Sequence, residues 1–337
     1  MKRLRFKEVL EKLYSNNNLS EWEDYEKPLY YFLEESFGYY NDLVNNMDEG
    51  EFCVDSNKIY FKGAFTKRRL LNMIHKLEQE YMGILQSCYK GDIYYATQKL
   101  YNLLLCKNAK ISQYLEEPYI NYFDYDIITD KVFYRMRDEK IEKDVHDCSH
   151  VPFNLRHKID ANRFSLQGLP CLYLADSIET ADKELCPLKE GYYRWVSEFI
   201  PQKNFVMTDL RFRSINIPSN LDTYYNTFKL LITFPMKLLC SIKVKKMDSI
   251  FHEEYYFSQL LSHLILIYLK EHPDDKLYSV AKGIIFDSTQ NENGTNLVIP
   301  ALYSDKKPPK SGQSQMIKEL LKEQNLTIYR RYETPTT

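Results

Sequence analysis

The segment Asn162–Glu184 reads NRFSLQGLPCLYLADSIETADKE. Its centre joins a glycine–proline turn at Gly168–Pro170 to a short apolar run at Cys171–Ala175. Turn residues followed by such a run predict a loop that enters a buried strand. The polar stretch that follows predicts a helix over Thr180–Leu185. This loop–strand–helix unit carries one arginine, one tyrosine and one glutamate, namely Arg163, Tyr173 and Glu184.

Further motifs extend the pattern on both sides of this segment. They are FYR at Phe133–Arg135, HVPFNLR at His150–Arg156, YYFSQ at Tyr255–Gln259, GIIFDS at Gly283–Ser288 and NGTNLVI at Asn293–Ile299. Taken in order, the motifs resemble those of the RES domain family, which is named for a recurrent Arg, Glu and Ser. The matched region begins at Phe133 and ends at Ile299.

RES proteins are NAD-degrading enzymes with an ADP-ribosyltransferase-like fold, and most act as bacterial toxins. The resemblance therefore implies an α+β fold with a split mixed β-sheet core. It implies a toxin or anti-phage defence effector that breaks the nicotinamide–ribose bond by hydrolysis or phosphorolysis. NAD would be the substrate and not a bound cofactor, with water or inorganic phosphate as co-substrate. A protein antitoxin, a sensor partner or self-assembly through N-terminal helices would control such an enzyme.

The resemblance assigns catalysis to Arg163, Tyr173, Glu184 and Ser288. Cleavage of the nicotinamide–ribose bond builds positive charge on the ribose carbon, much as glycoside cleavage does. The Glu184 carboxylate would stabilise that charge. Arg163 and Arg135 would bind the NAD pyrophosphate, because a guanidinium can bond two phosphate oxygens at once.

Tyr173 and Ser288 would also bind NAD. The tyrosine ring can stack on nicotinamide, and both hydroxyls can bond a ribose hydroxyl. Gln259 would support the site from behind, on an amphipathic helix. Arg137 follows Arg135 by two residues and would share its strand face. Without the resemblance, the more common roles of these side chains are an exposed helix glutamate, surface ion pairs and a core tyrosine.

Two positions depart from the family pattern, and both bear on substrate orientation. Ser165 follows the Arg163-Phe164 pair, where many RES proteins have asparagine. The closing loop Thr289–Asn293 is longer than the tight form of the family.

Other functions compete with NAD cleavage. A protein ADP-ribosyltransferase would trap the same cation with a side chain, and an interaction protein could carry a degenerate site. The R-x5-H spacing of Arg69 and His75 resembles the HEPN ribonuclease motif, which predicts either a ribonuclease or an inactive HEPN-like module. His146, Cys148 and His150 could ligate zinc, but a closed site needs a fourth ligand and none is suggested nearby. We therefore predict no metal.

Composition indicates a soluble cytoplasmic protein. The chain has 337 residues with a net charge of −2, which excludes a general attraction to nucleic acid or an anionic membrane. Its seven cysteines are odd in number and lack CxxC spacing, which is typical of a reducing compartment. The first residues lack the apolar core of a signal peptide. The most apolar run, Leu260–Leu269, is too short to cross a bilayer.

Periodicity predicts a helical regulatory or assembly domain over residues 1–125. Apolar residues recur at helical spacing, so helices are expected at Phe6–Tyr14, Leu29–Leu43, Leu70–Cys88 and Ile93–Leu105. A strand-like segment lies at Lys58–Phe61. None of the matched motifs falls in this region.

Short apolar runs alternate with turns from residue 126 onward, which predicts an α+β domain over 126–310. Strands are expected at Lys131–Arg135, Pro170–Ala175, Phe205–Leu210, Gly283–Phe286 and Leu297–Ile299, and helices at Leu221–Leu231 and Glu254–Leu269. Residues 311–337 are expected to pack on this domain as a helix at Gln315–Gln324 and a strand at Leu326–Arg331. Glu179 or Thr180 is expected near the cap of the helix that carries Glu184.

Overall fold

A computed structural model of the chain describes residues 3–16, 19, 21–22, 27–52, 65–140, 145–212, 224–243, 252–268, 281–303, 309 and 312–332. These residues form helices and one mixed sheet, which confirms the α+β class. The chain divides into two compact units. The helical unit comprises Met1–Phe123 and Arg211–Leu264, and the sheet unit comprises Asp124–Leu210 and Ile265–Thr337. The predicted strand-like segment Lys58–Phe61 lies outside the described residues.

The α-helices are α1 Phe6–Tyr14, α2 Leu29–Asn45, α3 Lys67–Tyr89, α4 Ile93–Leu104, α5 Ala109–Ser112, α6 Ile178–Lys183, α7 Tyr224–Ser241, α8 Tyr255–His263 and α9 Gln315–Leu320. Short 3-10 turns lie at Glu49–Phe52, Tyr119–Tyr122 and Phe153–Lys158, and a π-helical turn at Leu264–Tyr268. The predicted N-terminal helices are therefore confirmed. No helix in the described part of the chain is both long and apolar enough to cross a membrane.

Capping side chains delimit the antiparallel pair of helices α3 and α4. The Thr66 side chain caps the start of α3 by accepting a hydrogen bond from the Arg69 backbone N–H. The Asp92 side chain caps the start of α4 by accepting from the Tyr95 backbone N–H. Between the helices, Gly91 has φ +73°, a left-handed conformation that glycine adopts without strain. Local sequence therefore determines this turn.

Three buried tyrosines tie the N-terminal helices to α7. Pro235 lies inside α7 and has no N–H to donate to the Leu231 carbonyl. The Tyr40 hydroxyl donates to that carbonyl at 2.7 Å instead. Burial raises the pKa of Tyr40, so its hydroxyl stays protonated as a donor. Tyr14 and Tyr119 likewise donate to Leu230 O at 2.7 Å and to Ile232 O at 2.6 Å.

These bonds place residues 211–264 with the N-terminal helices, whereas the sequence assigned them to the domain over 126–310. A cut near residue 125 would separate α7 from the tyrosines that satisfy its carbonyls. The first boundary of the helical unit, after Phe123, lies close to the predicted one.

We expect Tyr40→Phe to lower the free energy of unfolding by about 1–3 kcal/mol, because it leaves the buried Leu231 carbonyl without a donor. Tyr39→Phe is the matched control, since the neighbouring Tyr39 is exposed. Chemical denaturation of the full chain measures both changes. Equal stability of the two variants would contradict the role given to the Tyr40 hydroxyl.

The described residues of the sheet unit form eight strands in the order β1-β5-β6-β7-β3-β2-β4-β8. Their bounds are β1 Asp124–Ile128, β2 Phe133–Lys140, β3 Cys171–Ala175, β4 Tyr192–Pro201, β5 Phe205–Asp209, β6 Ala281–Asp287, β7 Thr295–Pro300 and β8 Leu321–Arg331. Neighbouring strands are antiparallel except β5 and β6, which are parallel. The C-terminal strand β8 pairs with β4, so residues after 311 belong to the sheet unit.

Two elements at the C-terminal side of the sheet differ from expectation. The predicted helix over Gln315–Gln324 ends at Leu320, because residues from Leu321 onward pair with β4. Strand β4 itself was not predicted. A buried arginine, Arg194, interrupts the alternation of apolar residues that would have identified it.

The two faces of the sheet differ in what covers them. One face carries the larger apolar core, which includes Phe133, Leu172 and Leu174. The opposite face carries a smaller cluster in which Met136, Ala175 and Val196 pack with Ala181 of α6. Helix α6 therefore lies over the second face, called here the α6 face.

Candidate active site

The predicted loop–strand–helix unit is present as a loop, β3 and α6. Gly168 has φ +78° in the turn before β3, where glycine is favoured. Helix α6 begins after Ser177, whose hydroxyl accepts from the Thr180 backbone N–H at 3.1 Å. Its cap is therefore Ser177 and not Glu179 or Thr180. Glu184 is the C-cap residue that follows Lys183, and it is half-buried on the α6 face.

Two donors hold one oxygen of the Glu184 carboxylate. The Ser288 hydroxyl donates to Oε1 at 2.6 Å, and the Asn296 amide Nδ2 donates to the same atom at 2.5 Å. Among the described residues, no hydrogen bond reaches Oε2. The carboxylate is thus anchored at one oxygen and leaves the other for a ligand.

Ser288 is fully buried at the end of β6, and its hydroxyl is oriented by the loop that follows. Its Oγ accepts from the backbone N–H of Asn291 at 2.9 Å and of Gln290 at 3.2 Å. Those two bonds occupy the acceptor side of the hydroxyl, so its proton points to Glu184. The structure therefore brings the predicted Ser288 and Glu184 together.

The closing loop Thr289–Asn293 also binds α6. The Asn291 amide donates to Thr180 Oγ1 at 2.9 Å and accepts from Lys183 Nζ at 3.3 Å. Gly294 approaches so closely that a Cβ there would lie 2.5 Å from Thr180 Oγ1. The extra length of this loop therefore supports the helix that presents Glu184.

Tyr173 lies on the same face of the sheet as the Glu184 anchor. Ala175 follows Tyr173 by two residues and pairs directly with Asn296. The side chains of all three residues therefore project from the same face of the sheet. The Tyr173 hydroxyl accepts from the Phe164 backbone N–H at 3.2 Å and shares a 3.0 Å hydrogen bond with Ser165. Ser165 therefore orients the tyrosine.

Arg163 belongs to the tight turn that holds the Tyr173 hydroxyl. Asn162 and Ser165 close this turn with backbone bonds of 3.0 and 3.2 Å. Phe164 packs on Phe286 of β6 with ring centroids 4.6 Å apart. Arg163 itself is 6% exposed, so the turn that holds the Tyr173 hydroxyl contains a buried arginine.

Arg135 is not brought to that face. Its neighbour Tyr134 pairs directly with Ala175, so Tyr134 points to the α6 face and Arg135 to the opposite one. Burial lowers the pKa of Arg135, and its Nη1 has no hydrogen-bond partner among the described residues. Arg137 shares the strand face of Arg135, as predicted from its spacing. The structure thus separates both arginines from Tyr173 and Glu184, and Tyr134 takes the place expected for Arg135.

Gln259 lies on α8, in the helical unit, whereas the other predicted site residues lie in the sheet unit. Its supporting role stays a prediction.

Both ring nitrogens of His150 bond backbone groups. Its Nε2 accepts from the Ser314 N–H at 2.7 Å, which makes Nδ1 the donor to the Val151 carbonyl at 2.8 Å. Burial lowers the pKa of His150 and favours this neutral form. The described part of the chain contains no group of three or more His, Cys, Asp or Glu side chains arranged for a metal.

The two side chains of the R-x5-H pair on α3, Arg69 and His75, contact different neighbours. Six residues along a helix separate two side chains by about 9 Å and by about 120° around the axis. Arg69 donates to the Gln113 carbonyl and lies over the Tyr114 ring, 5.5 Å from its centroid. His75 is exposed and bonds Gln79.

Arg194 was missed by sequence reasoning and anchors α6 to the sheet. It is 2% exposed and forms a two-pronged bond with Asp138 of β2, with both distances 2.8 Å. It also donates to Asp182 of α6 at 2.6 Å and to the Cys186 carbonyl at 2.6 Å. The bonds to Asp138 are the main cause that raises the pKa of Arg194. Since Asp182 lies two residues before Glu184, this cluster fixes the end of the helix that carries the carboxylate.

No protein-family model and no solved structure matches the chain. A curated protein of Bacillus subtilis (strain 168), named "Putative toxin YopC", is 34% identical over 142 residues. The alignment covers 38% of this chain and 31% of that protein. Part of the chain is therefore similar to a protein named as a toxin. The chain spans less than a third of the length of that relative.

Proposed function

We propose that this protein is a RES-type enzyme that cleaves the nicotinamide–ribose bond of NAD and acts as a toxin. The observation that carries the proposal is the anchoring of Glu184. Ser288 and Asn296 both bind its Oε1, which leaves Oε2 on the face that Tyr173 shares. The similarity to a protein named as a toxin supports the biological role.

The geometry suits stabilisation of a cation. A carboxylate held by fixed donors needs no reorganisation when positive charge develops next to it. Glu184 Oε2 would face the ribose carbon as nicotinamide departs, or orient a ribose hydroxyl. The Tyr173 ring would stack on nicotinamide, and its anchored hydroxyl keeps the ring in place.

Arg163 is the residue of this site suited to the pyrophosphate. It lies in the turn whose Phe164 N–H and Ser165 hydroxyl hold Tyr173. We assign the NAD pyrophosphate to Arg163, because a guanidinium can bond two phosphate oxygens at once. Arg135, which faces the other side of the sheet, is not part of this proposal.

The direct test is to incubate the purified full chain with NAD, with and without inorganic phosphate, and to separate the products by chromatography. Nicotinamide with ADP-ribose would indicate hydrolysis, and nicotinamide with ADP-ribose-1″-phosphate would indicate phosphorolysis. Transfer of the label from adenine-labelled NAD to protein would favour an ADP-ribosyltransferase. If NAD stays intact in every arm, the proposal fails.

A toxin of this kind needs control, which we assign to a protein antitoxin or sensor, or to assembly through the helical unit. Co-expression with genes encoded next to it, scored by growth and cellular NAD, would identify such a partner. The proposed site of action is the cytoplasm, where NAD is consumed.

Arg163→Lys is expected to reduce kcat/KM for NAD by about 10- to 100-fold, although the charge is kept. An ammonium is a point charge and cannot reproduce a two-pronged phosphate contact, and bonds to charged groups are worth about 1.5–3 kcal/mol. Arg137→Lys is the matched control, because Arg137 is partly exposed and lies on the opposite face. Normal cleavage by Arg163→Lys would make Arg163 a purely structural residue.

A further inference from the structure

We propose that Asn296 is a positioning residue that fixes the Glu184 carboxylate for catalysis. This inference rests on the proposed function and adds a residue that the motif comparison did not assign. Asn296 is 6% exposed in β7, and its Nδ2 lies 2.5 Å from Glu184 Oε1.

The chemistry of the contact determines which atom of the amide faces Glu184. A carboxylate oxygen only accepts hydrogen bonds, so the amide nitrogen and not the amide oxygen must point to it. The bond to an ionised group is stronger than a bond between neutral groups. Asn296 therefore supplies a charge-assisted hydrogen bond to the proposed catalytic carboxylate.

The setting of Asn296 argues for a role beyond packing. Strand β7 is buried along its whole length, and asparagine is disfavoured in strands. Its neighbours Leu297 and Ile299 fill the core on the opposite face, and Val298 lies across from Tyr173. A buried amide in such a strand costs stability unless it is hydrogen-bonded, and Glu184 provides that bond.

A second donor changes what the carboxylate can do. Ser288 alone would hold Oε1 but would leave the carboxylate free to rotate about that bond. With Asn296 from β7 and Ser288 from the end of β6, Oε1 is held by two neighbouring strands. The direction of Oε2 is thereby defined, which is the preorganisation that electrostatic catalysis needs.

The test is a double-mutant cycle with Asn296→Leu and Glu184→Gln in the full chain. Leucine has a similar size and no donor. We expect Asn296→Leu to lower kcat by about 10- to 100-fold with KM changed far less, because the contact acts through a transition-state group. In the Glu184→Gln background the same substitution should cost less than about threefold, because residues that act as a unit are not additive. Thr327→Leu, at an exposed position of the edge strand β8, is the control.

Thermal unfolding provides a readout that does not depend on activity. For this readout Glu184→Ala replaces Glu184→Gln, because alanine removes the acceptor altogether. If Asn296 and Glu184 bind each other, the melting-temperature losses of Asn296→Leu and Glu184→Ala should fall short of additivity by about 2–4 °C. Asn296→Ala, which removes the donor without adding a charge, replaces Asn296→Leu if the leucine variant does not fold.

Additive melting losses, a kcat for Asn296→Leu like that of the unmutated protein, or an equal loss in the Glu184→Gln background would overturn the proposal. A chain that consumes no NAD would instead overturn the proposed function, and the melting cycle would still decide whether Asn296 positions Glu184.

Discussion

Glu184→Gln is expected to lower the rate of NAD cleavage by about 100- to 1000-fold while the protein stays folded. The glutamine carbonyl oxygen can still accept from Ser288 and Asn296, so the anchor survives. Its amide group then replaces Oε2, and the negative charge that would face the ribose cation is lost. Removal of one preorganised electrostatic group usually lowers the catalytic rate by a factor of this size.

Glu179→Gln is the matched control for this substitution. Glu179 lies on the same helix, its side chain is 69% exposed, and it forms a surface ion pair with Lys183. Activity is measured as NAD consumed by purified protein, and folding by circular dichroism and melting temperature. Turnover near that of the unmutated protein in a folded Glu184→Gln variant would remove Glu184 from the mechanism.

Arg194→Met is expected to lower the free energy of unfolding of the protein by about 3–5 kcal/mol, the usual cost of removing one partner of a buried ion pair. Methionine fills the space of the side-chain stem but leaves Asp138 and Asp182 without their cation. Arg330 still bonds Asp182 at 3.0 Å, so part of the charge stays compensated. The end of α6 then loses its main tie to the sheet, and NAD cleavage should fall with stability.

Arg137→Met provides the comparison, because Arg137 forms a partly exposed ion pair with Glu139 on the same sheet. Such pairs contribute about 0–1 kcal/mol. Chemical denaturation followed by fluorescence and circular dichroism measures both variants. If Arg194→Met and Arg137→Met unfold alike, the buried cluster does not hold α6 in the way described.

Local features of the chain predicted much of the architecture. Helices α1 to α4 follow from apolar residues at helical spacing, and β3 follows from a short apolar run after a glycine–proline turn. Both signals depend on residues that are near neighbours along the chain. The family motifs predicted roles for Glu184, Ser288, Tyr173 and Arg163. In the structure Ser288 bonds Glu184, and the turn that contains Arg163 bonds Tyr173.

Strand pairing decided what the motifs could not. Arg135 and Tyr134 are adjacent in the FYR motif, and only the pairing of Tyr134 with Ala175 shows which of them shares the face of Tyr173. A shift of one residue would exchange the two side chains. Strand β4 was missed because a charged residue such as Arg194 is not expected on a buried strand face. Only the tertiary structure shows that Asp138 and Asp182 pair with it there.

The grouping of α7 with the N-terminal helices and the role of Asn296 likewise came only from the tertiary structure. Tyr40 and Leu231 are 191 residues apart, and Glu184 and Asn296 are 112 apart. The spacing of apolar residues along the sequence does not predict contacts between residues so far apart. Helical periodicity and turn signals depend on residues that are close together in the sequence. The hydrogen-bond partner of a buried polar group can lie anywhere along the chain and is known only from the tertiary structure. Such a partner is needed because an unpaired donor or acceptor is costly to bury.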